Sequence, residues 1–218
     1  APLAARLLGV SDPSPQGIIV VGASAWTRSF AHALQEQDVR VLLVDTNRGN
    51  VRASRMEGLS AFCGDVLGDG VIDELDLRGI GRTLALTRND EVNTLVLQRF
   101  ERVFGKAEVY TLPSRVQGGK VAKPRRSEAD ETTGDARGES HTSHGRRLFT
   151  SSLDQVTIDR CLERGWVFKS TTLTPDFNWN DYRLLYGPEA LVLAVVSGDG
   201  AVQFGDAETD PGVENLPP

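Results

Sequence analysis

From residue 17 to residue 113, short β-branched runs alternate with longer stretches whose apolar residues recur every three or four positions. GIIVV (17–21) is an apolar run ending at a glycine, which predicts a buried strand. Between 25 and 37, Trp26, Phe30 and Leu34 stand four apart on one face of a predicted helix. VRVLLVD (39–45) predicts a second strand with an acid at its end, and 48–57 a helix with Gly58 as its C-cap. LSAFCGD (59–65) predicts a third strand that buries Cys63, followed by a short helix over 71–77. RTLALT (82–87) and EVYTL (108–112) predict a fourth and a fifth strand. Between them lies the longest helix, 90–103, with Val92, Leu95, Val96, Arg99, Phe100 and Val103 on one stripe and Gly105 at its end. Continuous apolar strands alternating with helices predict an α/β fold: a Rossmann-like, doubly wound parallel sheet covered on both faces.

Beyond this block the pattern changes. Residues 1–16 contain the Ser/Pro segment SDPSPQ and form an expected stub or linker, and 17–113 form the first domain. From 114 to 147 charges of both signs mix with Gly and Ser and apolar residues almost vanish, so a flexible linker is expected there. Its ArgArg pairs at 125–126 and 146–147 are candidates for touching an acidic surface. Residues 148–206 predict a smaller α+β domain: a helix over 154–164, a strand WVFKSTTL (166–173), a short aromatic helix within 177–187, and strands ALVLAVV and AVQF joined at SGDG. Too small for a generous core, this unit is expected to pack on something else, and 207–218 is an acidic, Pro-rich tail.

Charge narrows the partners. With 24 Lys and Arg against 30 Asp and Glu, the net charge of −6 argues against a nucleic-acid binder, whose affinity rests on neutralising phosphates. No apolar run approaches the roughly 18 residues of a membrane-spanning helix, so no direct membrane insertion is expected. The first residue is Ala rather than Met, as in a processed chain or an excised fragment. Cys63 and Cys161 have no CxxC spacing, which argues against a zinc site or a disulfide scaffold and for a reducing compartment.

Candidate chemistry sits where the first strand meets the first helix, at Gly22, Ala23, Ser24, Ala25, Trp26 and Thr27. A dinucleotide fold asks for G-x-G-x-x-G here: one glycine for the turn, one for close approach of a pyrophosphate, one for helix packing. Only the first is present, Ser24 and Thr27 standing in the other two places. Asp45 closes the second strand 23 residues after Gly22 (45 − 22), near the interval for the acid that binds an adenosine ribose. A carboxylate there accepts from vicinal hydroxyls and repels a 2′-phosphate, favouring NAD-like or adenosine ligands, although Arg28 and Arg48 stand close enough in sequence to blur that choice. The bland alternative is that Asp45 opens an Asx turn in DTN.

Together VVGASAWTRSFAHALQ, VLLVDTNRGNV and GLSAFCGDVLGDGVIDELDLRGIGRTLALTRNDEVN resemble a TrkA-N domain, the nucleotide-binding lobe of RCK regulators. GD at 64–65 and the GI-x-R-x-L-A-L-T-x-N-D-E-V-N run (79–93) carry the resemblance most specifically. The GA-x-x-W-x-R loop, with LTPDFNWNDYRLLYGPEAL further on, is similar to the cytosolic C-terminal tail of NhaP-type bacterial cation/proton antiporters. The resemblance implies that Gly22 through Thr27 lie under the phosphates and that Asp45 and Thr46 hold the ribose. Asp65 and Val66 would border the adenine, and Thr87 and Asn89 line the far side of the pocket. The bland alternatives are that Asp65 is a turn or N-cap residue and Thr87 an ordinary strand end. The implied ligand is NAD(H) or an adenine nucleotide (AMP, ADP or ATP). The implied partners are a transmembrane antiporter domain of the same full-length chain, carrying Na+ or K+, and a second copy in a homodimer. The implied location is the cytoplasmic face of the plasma (inner) membrane, residues 1–16 running below the last membrane helix.

Two other classes are weighed against this regulatory one. An oxidoreductase shares the fold but needs a proton-transfer group, and no catalytic residue is expected: His32 falls mid-helix, His141 and His144 lie in the expected linker, and no Tyr-x-x-x-Lys pair occurs. No metal site is expected either. A ligand-free scaffold is the other alternative, because the glycine pattern is eroded and the 90–103 stripe can serve a partner as well as the core.

Overall fold

The structure, a computed structural model, describes residues 15–113, 145–149, 153–186 and 190–205. Most of the expected 114–147 linker, all of the 207–218 tail and residues 1–14 lie outside the described residues.

Strands β1 (Gly17–Val21), β2 (Val41–Asp45), β3 (Ser60–Cys63), β4 (Ile80–Ala85), β5 (Val109–Thr111) and β6 (Arg146–Arg147) form one parallel sheet in the order β3-β2-β1-β4-β5-β6. Helices α1 (Ala25–Gln35) and α2 (Arg48–Met56) carry the chain outward from β1 to β3. A short α3 (Val71–Glu74) precedes its return to β4, and α4 (Asp90–Phe104) leads on toward β5. The order of strands reverses between β1 and β4, the position at which open α/β sheets bind ligands beyond the carboxyl ends of the strands.

Short polar side chains start the helices. Ser24 caps α1, Asn47 accepts from the Gly49 and Asn50 amides at the start of α2, and Asn89 accepts from the Glu91 and Val92 amides at the start of α4. Both sheet faces are buried. Trp26, Phe30 and Leu34 of α1 cover Ile18, Val20, Leu43 and Leu84 on one, and Val96, Leu97 and Phe100 of α4 cover Ile19, Val21, Val44 and Ala85 on the other.

The second block joins the first of these cores rather than building its own. Leu148, Phe149, Leu153, Ile158, Val202 and Phe204 are buried in one cluster with α1 and β1. The block holds α5 (Gln155–Glu163), α6 (Trp179–Tyr186) and an antiparallel hairpin of β7 (Ala194–Val196) and β8 (Val202–Phe204). Gln16, just before β1, ties it to the sheet, its Oε1 accepting from Arg82 Nη1 at 2.6 Å and from the Val202 amide at 3.0 Å.

Several expectations are corrected. Arg146–Arg147, expected in the linker, pairs with β5 as the sixth strand, and Arg146 stands 5.2 Å over the Tyr110 ring. The 166–173 segment is not a strand: Lys169 bonds to Tyr186, Ser170 accepts from Gln37, and Phe168 packs on Trp26 and Phe30, so its contacts go to α1, the turn that follows it and α6. The strand expected over 190–196 is confined to its last three residues. Cys63 is exposed, because β3 is the edge strand. The α4 stripe divides: Val96 and Phe100 are buried, while Leu95 and Val103 are 50% and 44% exposed.

Candidate nucleotide-binding site

The ends of β1, β2 and β4 meet at Gly22. Its φ of 108° lies in the region that favours glycine, and a Cβ there would stand 2.8 Å from the Leu86 carbonyl oxygen. Its amide donates to Val44 O at 2.8 Å, so the turn is sewn to the neighbouring strand. One residue on, the Ala23 amide donates to Asp45 Oδ2 at 2.8 Å. The glycine turn and the acid at the end of β2 thus form one unit.

Asp45 is heavily engaged. Oδ2 also accepts from Asn50 Nδ2 at 2.9 Å, and Oδ1 accepts from the Asn47 amide at 2.7 Å, which is the Asx turn that DTN allows. A carboxylate offers about four acceptor directions, and three of them are taken by internal donors, two on Oδ2 and one on Oδ1. Thr46 beside it is exposed.

Ser24 and Thr27 replace glycines without reproducing them. Ser24 has φ −65° and caps α1, its Oγ 3.5 Å from the Thr27 amide. Thr27 is fully buried and donates its hydroxyl to Ser24 O at 3.0 Å. The amides of Ala25 and Trp26, in the first turn, lack intrahelical acceptors by the geometry of a helix and make this end attractive to anions. The Trp26 side chain points the other way, 1% exposed and stacked on Phe168 with ring centroids 6.5 Å apart, whereas Ala25 is exposed. Arg28 Nη1 donates to Ala23 O at 3.1 Å, and its Nε pairs with Glu57 at 2.9 Å.

The remaining expected residues flank this unit. Asp65 is exposed and accepts from the Leu67 amide, forming a turn, while Val66 is 2% exposed within the α4-side core. Thr87 and Asn89 follow β4. The Thr87 hydroxyl lies 2.7 Å from Asn93 Oδ1, and Asn89 spends its side chain capping α4. Asn50 and Asn93 were not singled out in the sequence, yet they hold Asp45 and Thr87 in place. The signal for Asn93 is a polar residue in the 90–103 helix next to the apolar stripe. Beyond Thr87, Arg88 pairs with Asp159 of α5 at 3.2 Å, joining the rim to the second block.

Among the described residues no group of His, Cys, Asp and Glu side chains could hold a metal ion, and no helix is long and apolar enough to cross a membrane. His141 and His144 and the 125–126 pair lie outside the described residues.

No curated protein matches this chain. Among solved structures, the NAD(P)-binding domain of an exopolyphosphatase-related protein from Archaeoglobus fulgidus is similar at 24% identity, over 46% of this chain and 75% of that one, with a TM-score of 0.40. The TrkA-N domain of the inner membrane protein ybaL from Escherichia coli is similar at 14% identity, over 46% and 74% of the two chains, with a TM-score of 0.40. The GsuK channel bound to NAD is similar at 18% identity, over 54% of this chain and 22% of that one, with a TM-score of 0.41. The TrkA-N domain family matches residues 18–131, just over half of the chain and the segment that carries β1 through β5. With the parallel sheet, the glycine turn and the acid bonded to it, that match makes the chain a member of the TrkA-N domain family.

Proposed function

We propose that this chain is the cytosolic regulatory module of a membrane cation/proton antiporter carrying Na+ or K+, and that it binds NAD(H) or an adenine nucleotide where β1, β2 and β4 end. Family membership supports the regulatory class. The observation that carries the ligand is the bond from the Ala23 amide to Asp45 Oδ2, which keeps a carboxylate beside a helix start that favours phosphate. The phosphates lie against the first turn of α1, the ribose on Asp45 and Thr46, the adenine by Asp65 and Val66, and the far side against Thr87 and Asn89. The Arg88–Asp159 pair supports a route by which occupancy biases the second block, and through it a transmembrane domain of the same full-length chain at the cytoplasmic membrane face. Exposed Leu95 and Val103 support a homodimer. The role is regulatory, without a chemical step.

A second reading has its own support. Three internal donors on Asp45 favour a scaffold that keeps the architecture of the site and has lost its ligand. Calorimetric titration with NAD+, NADH, AMP, ADP and ATP separates the two. Saturable heat that is lost in a folded Asp45→Asn variant supports the sensor, and no heat with any of the five supports the scaffold.

A further inference from the structure

The outer face of α2 breaks two local rules. Arg48 stands at the first helical position, where the positive end of the helix dipole disfavours a cation, and the first turn holds no acid to offset it. Arg52 and Arg55 follow four and seven residues on, so like charges repel along one stripe. Arg55 is accounted for, because Nε and Nη2 both donate to Ala61 O, at 3.0 and 2.8 Å. Among the described residues Arg48 and Arg52 meet no carboxylate, in a chain where acids outnumber bases by 30 to 24. Local rules broken without an internal gain occur at functional or strained positions.

The same arginines line a cleft of about 550 Å³ with Val51, Met56 and Cys63. Its residues other than Val51 are exposed, so it is a groove open to solvent rather than an enclosed pocket. Val51, 2% exposed, forms a floor, and Met56, 79% exposed, is an adaptable apolar wall. Planar guanidiniums match phosphate oxygens in pairs. None of the residues assigned to the nucleotide site lines this cleft, although Cys63 Sγ lies 3.9 Å from Thr46 O, which makes the two neighbours.

We propose that the cleft between α2 and β3 is a second ligand site, for a phosphate-bearing small molecule gripped by Arg48 and Arg52 with its apolar part on Val51 and Met56. Arg48, three residues beyond Asp45, borders the nucleotide reading, and Arg52 and Met56 are what separate this site from it.

Cys63 lines the cleft and is exposed, so alkylation by neutral iodoacetamide reports occupancy locally. Mass spectrometry separates it from the half-buried Cys161, which serves as the internal control. The probe is pyrophosphate, which has no adenosine to engage Asp45; the first turn of α1 also attracts it, and the Arg52 variant tells the two apart. At ten times its dissociation constant it slows Cys63 alkylation about tenfold, the open fraction being set by mass action. The Cys161 rate stays unchanged, the protection is lost in Arg52→Gln, a change that keeps a good helix former on an outer face, and it is kept in Asp45→Asn. Undiminished protection in Arg52→Gln, equal protection by sodium chloride of matched ionic strength, or no protection by pyrophosphate each overturns the site. Protection by anionic phosphatidylglycerol vesicles and not by pyrophosphate also overturns it, and assigns the face to a membrane surface.

Discussion

Ala23 and Asp45, 22 residues apart, are bound directly: the amide of one donates to the carboxylate of the other at 2.8 Å across the ends of β1 and β2. The acid that a dinucleotide fold offers to a ribose is therefore also a structural tie. Its removal has a consequence for the fold that is separable from the ligand role proposed above.

Asp45→Ala strips acceptors from the Ala23 and Asn47 amides and the Asn50 side chain. Hydrogen bonds to charged groups contribute about 1.5–3 kcal/mol each, and solvent recovers part of this, so the expected net loss is about 3 kcal/mol. Asp45→Asn keeps one oxygen for Ala23 and Asn50 but turns an amide donor on the Asn47 N–H, and falls between wild type and Ala. Urea denaturation ranks the three, and equal stability of all three overturns the tie.

The glycine pattern yields an unequal pair of substitutions. Gly22→Ala forces a side chain into φ 108° and to within 2.8 Å of Leu86 O. Left-handed strain alone costs about 1–2 kcal/mol, and the overlap adds to it. Ser24→Gly restores the second motif glycine where φ is −65°, and an N-cap serine replaced by glycine loses only about a few tenths of a kcal/mol. Thermal melts therefore show a large drop for the first and a small one for the second. A large drop for Ser24→Gly would mean that the serine does more than cap.

Those contrasts explain what was legible in the sequence. The five strands and the α1 face were readable because Ile18, Trp26, Phe30 and their neighbours follow periods set by burial. β6 was not, because two arginines carry no strand signal, and their pairing with Tyr110 and Thr111 depends on where the chain returns. Cys63 looked buried because its run is apolar, and only the sheet order puts it on an edge. In the site, the spacing from Gly22 to Asp45 was readable, whereas the donors that occupy Asp45 depend on side-chain directions in the folded loop.

Thr83 is fully buried on central strand β4, and its hydroxyl finds no partner among the described residues. An unsatisfied buried hydroxyl costs about 1–3 kcal/mol. Thr83→Val removes that cost with nearly the same shape and a better strand former, so a stabilisation of about 1 kcal/mol is expected from the denaturation midpoint. A destabilised Val variant would point to a water bonded to the Thr83 hydroxyl.

Stability falls in alkali through Tyr110. Burial raises its pKa above the ordinary value, with the Arg146 charge opposing. Below about pH 10 the phenol is neutral in both states and its contribution is intact. Above that value the unfolded chain ionises first, so folding stability is lost as pH rises toward the raised folded value. The difference between wild type and Tyr110→Phe in urea midpoint should therefore widen to the disadvantage of wild type from pH 9 to pH 11. A difference that stays constant overturns the assignment.

The last expectation concerns how many units unfold. Phe168 of the second block lies 6.5 Å from Trp26 and 5.8 Å from Phe30 by ring centroid, and Phe149 meets Phe30 edge-on at 6.0 Å. One core spans both blocks, so they should melt together even though the sequence divides them. Phe168→Ala removes a half-buried ring and costs about 2 kcal/mol, less than a fully buried Phe. The whole transition should shift to lower temperature as one, without splitting. Trp26 reports the contact directly once Trp166 and Trp179 are changed to Phe. Its emission in that background should redden on Phe168→Ala, as the stacked face opens to water. If calorimetry resolves two transitions, with only the second moved by Phe168→Ala, the blocks are separate domains that touch. The proposed route from the rim to the second block would then rest on the Arg88–Asp159 pair alone, with no shared core behind it.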